Sequence, residues 1–192
     1  MSVMTWPDHP LTLEEFDQLP EDNSRRYELQ EGNLQVTAQA AGIHQRIVRQ
    51  LTRVLDDQML EEWEAAQDME VILTPTWPPT VRVPDVVIAP TALIDQDPTR
   101  IHAKDVAVAV EVVSPGSGRT DRLLKMFEYA KAGIPFYWII ERTDHSIALT
   151  EHHFVEGIYE VITECRGGVF TADLPFELHV DLDVLTRRPR RR

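Results

Sequence analysis

Cysteine is nearly missing from this chain. Cys165 is the one cysteine in 192 residues, which excludes an intramolecular disulfide and a thiolate metal cluster. Its ordinary role is that of a small, half-buried hydrophobe. Long apolar runs are missing too: none approaches the roughly 18–20 residues a membrane span needs. The first ten residues hold no basic stretch followed by an apolar one, so they do not read as a secretory signal. The expectation is a cytoplasmic protein with no membrane partner. Basic residues are outnumbered: 19 lysines and arginines face 32 aspartates and glutamates, for a net charge of −13. Five of those arginines fall within residues 187–192, and without them the balance drops to −18. Such a body repels nucleic acid over most of its surface. Any nucleic-acid chemistry then depends on a local cleft that is basic or loaded with metal. Repeats and low-complexity segments are absent apart from the arginine block, which reads as a solvated, disordered tail.

What the chain does have is 43% hydrophobic residues, enough for a sizeable core in one mixed α/β domain. That domain is placed at residues 1–186. Thr12, with Glu15 three residues on, has the capping-box spacing of a short helix from Leu11 to Phe16. Tyr27 to Val36 alternates around Glu31-Gly32-Asn33 and predicts a hairpin. From His44 to Glu64, the residues Ile47, Val48, Leu51, Val54, Leu55, Met59 and Trp63 recur every three or four positions, which predicts a long amphipathic helix. Strands are expected over Met69–Thr74, Val81–Ala89 (interrupted by Pro84), Val106–Val113 and Phe136–Glu141. Ser117 or Thr120 is placed to cap a helix running to Ala132, with Gly133 as its C′ residue. A second hairpin is expected over residues 146–163, and Leu178–Leu182 closes the domain. The order predicts an α/β (α+β) fold: a central mixed sheet flanked by helices, preceded by an N-terminal helix and hairpin.

Glu111 is the anomaly. It interrupts the Val106–Val113 run, whose continuous Val/Ala character marks a strand buried on both faces. An isolated ionised carboxylate there is very costly, so a cation must neutralise it. Two sources are open. Asp85 lies in the preceding strand, next to Pro84, and two carboxylates on adjacent strands are hard oxygen ligands suited to Mg²⁺ or Mn²⁺. Lys125 lies in the following helix, where Asp121, Lys125 and Tyr129 share one face at i, i+4 and i+8; Leu123, Phe127 and Ala130 are expected to point into the core. Two carboxylates plus a lysine make a set for metal-dependent phosphodiester hydrolysis, the metal lowering the pKa of an attacking water and the lysine orienting it or offsetting charge. The alternative is an inert Glu111–Lys125 ion pair. Glu28 reads either as a further ligand or as an exposed hairpin carboxylate. His44, at a helix start, reads as a phosphate contact, a proton carrier or a capping group. Tyr129 either lines the cleft or packs. Adjacent His152 and His153 in a strand face opposite ways and do not chelate jointly.

These residues carry a resemblance. Pro84-Asp85, then Glu111-Val112-Val113-Ser114-Pro115, then Asp121 with Lys125, then Tyr129 through Gly133 to Tyr137-Trp138, resemble the Uma2 family. So do the hairpin segment Arg26–Leu34 and His44-Gln45. The resemblance covers roughly Leu11 to Leu185. It implies a restriction endonuclease-like fold of the PD-(D/E)xK superfamily and a metal-dependent endonuclease acting on DNA, with a homodimer expected. On that reading Asp85, Glu111 and Lys125 are catalytic, with Glu28, His44, Asp121 and Tyr129 as accessories. Mg²⁺ or Mn²⁺ is held by Asp85, Glu111 and the Val112 carbonyl. One departure stands out: the superfamily pattern puts its lysine two residues after the acid, where this chain has Val113. Lys125 on the helix matches the family's placement instead. A second is Asn33, where relatives often carry Glu. The rival to an enzyme is a catalytically inactive fold serving as an oligomeric interaction module.

Overall fold

The computed structural model describes residues 7–20, 22, 24–40, 42–113, 119–142 and 146–187. In chain order its elements are α1 (Leu13–Asp17), β1 (Arg25–Gln30), β2 (Asn33–Ala38), α2 (Ile43–Asp56), β3 (Trp63–Gln67), β4 (Glu70–Thr74), β5 (Thr80–Arg82), β6 (Val86–Pro90), α3 (Thr91–Ile94), β7 (Arg100–His102), β8 (Val108–Val113), α4 (Arg119–Lys131), β9 (Phe136–Arg142), β10 (Ile147–Val155), β11 (Ile158–Arg166), β12 (Val169–Ala172) and β13 (Leu178–Asp181).

Two larger sheets organise them, not the single sheet expected. One runs β2-β1-β5-β4-β7, the other β11-β10-β9-β8-β6-β3, and β12 with β13 forms a separate ribbon. The six-stranded sheet is mixed: β6 pairs β8 antiparallel, and β8 pairs β9 in parallel after the crossover through α4. Strand β8 shows why it is continuously apolar. Val108, Val110 and Val112 face a core shared with α2 residues Ile47, Val48, Leu51 and Leu55 and with the β12–β13 ribbon. Ala109 faces the other way, into a core shared with Tyr129 of α4 and with Tyr137 and Ile139 of β9. Period-two alternation puts Glu111 on this second face, under α4. A third cluster joins Leu11 and Phe16 to Leu29 and Val81 and seats the N-terminal segment on the five-stranded sheet.

Local chemistry explains the joints. Thr12 and Glu15 close the expected capping box. Gly32 turns the β1–β2 hairpin at φ +77°, and a Cβ there would lie 2.9 Å from Pro10 Cβ, so the turn needs glycine on both counts. Gly133, also at φ +77°, ends α4.

Three expectations are corrected. The helix predicted to Glu64 stops at Asp56, and Trp63–Gln67 is a strand: after the turn at residues 57–62, Trp63 and Ala65 meet the core from β3 instead. The strand predicted over Val81–Ala89 is two strands in different sheets, β5 pairing β1 and β4 and β6 pairing β3 and β8. Pro84, which has no N–H for a ladder, sits at that changeover. Finally, Leu123 and Phe127 of α4 are 57% and 65% exposed, whereas Ala130 is buried as expected. The 188–192 part of the arginine tail and the Ser114–Gly118 turn lie outside the described residues, and so does the side chain of Asp121. Among the described residues no helix is long and apolar enough to cross a membrane.

Candidate active site

The changeover between the sheets builds the site. The β6–β8 register runs Val86 opposite Val110, so the next step places Asp85 beside Glu111. Because Pro84 ends the β5 ladder, the Asp85 carboxylate takes the place of a strand partner: its Oδ2 accepts the Val112 N–H at 2.7 Å. Its Oδ1 accepts from Arg26 Nη1 at 2.9 Å. His44, from the first turn of α2, brings Nε2 to 3.1 Å from Asp85 Oδ2 and 3.0 Å from the Val112 carbonyl oxygen. Asp85 is only 2% exposed. Burial alone would raise its pKa, but the His44 bond, the Arg26 charge and the Val112 N–H together hold it below the usual aspartate value. His44 is the counterpart: burial disfavours its charge, and the bond to Asp85 overcomes that and raises its pKa.

The second half of the site hangs from α4. Lys125 Nζ donates to Glu111 Oε1 at 3.0 Å and to Glu28 Oε1 at 3.2 Å, and Tyr129 Oη donates to Glu111 Oε1 at 2.7 Å. Both Glu111 bonds fall on Oε1, so Oε2 takes no hydrogen bond among the described residues. Burial is the main force on Glu111, reinforced by the nearby Asp85 and Glu28 charges and opposed by Lys125; its pKa is pushed up to about 7. Glu28 is driven the other way. Burial would raise it, but Lys125, Arg82 and the Val83 N–H hold it below the usual glutamate value.

The structure therefore brings together Asp85, Glu111, Lys125, Glu28, His44 and Tyr129. Glu28 is not the exposed hairpin carboxylate that one reading allowed. It is buried, accepting from Val83 N at 3.0 Å and from Arg82 Nη1 at 2.9 Å. His44 is not a plain helix cap, since its Nε2 points at Asp85. His152 and His153 do diverge: His152 bonds the Tyr137 carbonyl and His153 bonds Glu151. Three residues escaped sequence reasoning. Arg26 locks Asp85 and also pairs with Asp68. Arg82, buried at 2% exposure, grips Glu128 with Nε and Nη2 and so ties α4 to the five-stranded sheet. One signal was available: Arg26 and Glu28 are two apart on β1 and share a face, next to a hairpin already noted.

The donor set suits a divalent metal. Asp85 Oδ2 and the Val112 carbonyl oxygen converge on a single atom, His44 Nε2, so one cation can sit between them. Glu111 adds Oε2, which takes no hydrogen bond among the described residues. All are hard oxygen donors of the kind Mg²⁺ and Mn²⁺ prefer. Among the described residues no three Asp, Glu, His or Cys side chains are grouped to hold an ion by themselves.

Residues 13–184 match the Uma2 family, whose description is "Putative restriction endonuclease". The chain belongs to the Uma2 family. The fold of this Uma2 chain is similar to that of a protein from Anabaena variabilis ATCC 29413, whose crystal structure is described as "a putative nuclease belonging to DUF820". The TM-score is 0.70 at 19% sequence identity, over 92% of this chain and 98% of that one. That likeness establishes the fold, a restriction endonuclease-like core. No curated protein matches the Uma2 chain.

Proposed function

We propose that this Uma2 protein is a metal-dependent endonuclease that hydrolyses phosphodiester bonds in DNA. The observation that carries the reading is Asp85 opposite Glu111 at the β6–β8 junction, with His44 contacting both Asp85 and the Val112 carbonyl and Lys125 on Glu111. Family membership and fold support it. A bound Mg²⁺ or Mn²⁺ would supply Lewis acidity toward the phosphate and a lowered pKa for the attacking water. Asp85, Glu111 and the Val112 carbonyl would hold it. Lys125 holds its proton between Glu111 and Glu28, from where it orients the water or offsets charge gathering on the phosphate. Tyr129 fixes the Glu111 carboxylate. Arg82 and Glu128 hold α4, and with it Lys125, against the sheet. A DNA partner, a homodimer and a cytoplasmic location go with this reading.

One observation favours a second reading, an inactive fold used as an interaction module. Arg26 and Lys125 already supply cations to Asp85 and Glu111 and His44 bonds Asp85, as a self-contained network would. A cleavage assay on plasmid and single-stranded DNA, with Mg²⁺ or Mn²⁺ added to the metal-stripped protein, separates the two. The enzyme reading expects metal-dependent cleavage that Asp85→Ala abolishes. Absence of cleavage with either metal, together with calorimetry showing no Mn²⁺ uptake, would leave the module.

A further inference from the structure

A cavity of about 780 Å³ opens beside the site, and Arg26 belongs to both. On one side Arg26 holds Asp85; on the other it lines the cavity with Phe16, Gln39, Glu70, Ile72 and Arg100. The size falls within the range of pockets that enclose a small organic group, and a nucleoside fits within it.

The cavity's charge pattern identifies the kind of group. Each of its three arginines is already committed to carboxylates. Arg25 pairs with Asp22, Arg26 with Asp68 and Asp85, and Arg100 with Asp17 and Glu70. With Asp17, Asp22, Asp68 and Glu70 all in its wall, acids outnumber bases and a phosphate is repelled. A flat, neutral group that donates hydrogen bonds is welcome. Arg100 is held in place by its two acids, with its guanidinium carbon 5.2 Å from the Phe16 ring centroid. A guanidinium so fixed is a stacking plane for a base.

We infer that this cavity is a nucleobase pocket, taking a base displaced from the strand whose phosphate lies at Asp85 and Glu111, and that it prefers bases carrying an exocyclic amine. The inference rests on the nuclease reading for its strand and phosphate but not for the binding itself. Cytosine N4 and adenine N6 present N–H₂ donors to the carboxylates, whereas thymine presents a carbonyl in that position. Unpaired strands give up a base more cheaply than duplexes do, so a base in single-stranded DNA is the favoured occupant.

The test is NMR titration of the full chain, metal-free, with deoxycytidine and with thymidine. The expected result is shifts of the Phe16, Ile72 and Arg100 signals, with deoxycytidine binding about tenfold more tightly than thymidine. Thymidine binding as well as deoxycytidine, or shifts that miss these residues or do not appear at all, would overturn the pocket. A cleavage assay on oligonucleotides with one abasic position distinguishes the two readings. Nucleoside binding without cleavage of any DNA would remove the nuclease and leave the pocket. Equal cleavage of abasic and intact strands, with no nucleoside bound, would remove the pocket and leave the nuclease.

Discussion

Helices α2 and α4 pack on opposite faces of the same six-stranded sheet and follow opposite rules. From Ile47 onward α2 turns its apolar stripe inward: Ile47, Val48, Leu51 and Leu55 are all buried, as an amphipathic helix over a core should be. Helix α4 buries Lys125, at 8% exposure, and leaves Phe127 65% exposed. Burying a lysine while exposing a phenylalanine just over half a turn away costs stability on both counts. The cost is offset by two carboxylates, Glu28 and Glu111, that need the ammonium. One helix holds the fold together, and the other holds a charge where chemistry is proposed to need it.

Substitutions within α4 and α2 test that contrast most strongly. Lys125→Met should lower any cleavage rate by roughly 10²–10³, the usual loss for one electrostatic group in a site. It should also cost about 3–5 kcal/mol of stability, because two buried carboxylates lose their cation. Phe127→Ser, two residues away, should stay within about 0.5 kcal/mol of the original. Steady-state rates and thermal melts of the pair check this, and equal damage from both would break the comparison. Leu51→Ala in α2 should cost about 3–4 kcal/mol, as expected for a fully buried leucine, and should leave the low-temperature cleavage rate intact. A Leu51→Ala protein that folds but has lost activity would mean that α2 serves the chemistry beyond His44.

The pH dependence of stability sharpens the comparison further. In the unfolded chain Glu111 ionises at the ordinary glutamate value of 4.5, and in the fold at about 7. Between those values the folded protein keeps a proton that the unfolded chain has lost. Its contribution to stability is therefore complete below about pH 4.5 and is lost as pH rises through about 7. Each pKa unit is worth about 1.4 kcal/mol, so the loss is on the order of 3 kcal/mol. Asp85 and Glu28 are lowered and act in the opposite sense, losing their contribution only as pH falls below their ordinary values. His44 is raised and loses its contribution above pH 6.5. Denaturant titrations should thus show Glu111→Gln flattening the slope between about pH 4.5 and 7. An unchanged slope would place Glu111 outside this account. Within the site the smallest effect is expected at His44 of α2. His44→Ala removes a ring nitrogen that competes for Asp85 and the Val112 carbonyl, so calorimetry should find Mn²⁺ bound roughly tenfold more tightly, about one charged hydrogen bond's worth. Weaker binding would instead make His44 a ligand.

What was legible in the sequence follows the same division. The apolar run of β8 stood out because both its faces are buried, and Glu111 stood out because that run left it without company. Pro84 pointed to an opening at Asp85, although one strand was expected where two belong to different sheets: local alternation is the same whichever sheet a strand joins. The periodicity of α2 carried on past its end because Met59 and Trp63, from the turn and from β3, pack against the same core. Leu123 and Phe127 were assigned to the core by residue type, and the need to bury Lys125 and Tyr129 turned that face outward. Arg82 and Glu128 could not be read and Arg26 only through its neighbour Glu28, because each finds its partners 42 or more residues away and no spacing rule spans that distance.

The central claim is that Asp85 and Glu111 hold a divalent cation, with Lys125 beside it. Crystals grown or soaked in Mn²⁺ and measured for anomalous scattering test it directly. The account predicts a peak about 2.1 Å from oxygens of Asp85 and Glu111 and from the Val112 carbonyl, with His44 Nε2 moved off that carbonyl. A saturating soak with no peak there, and with His44 and Lys125 still bonded to the two carboxylates, would contradict it.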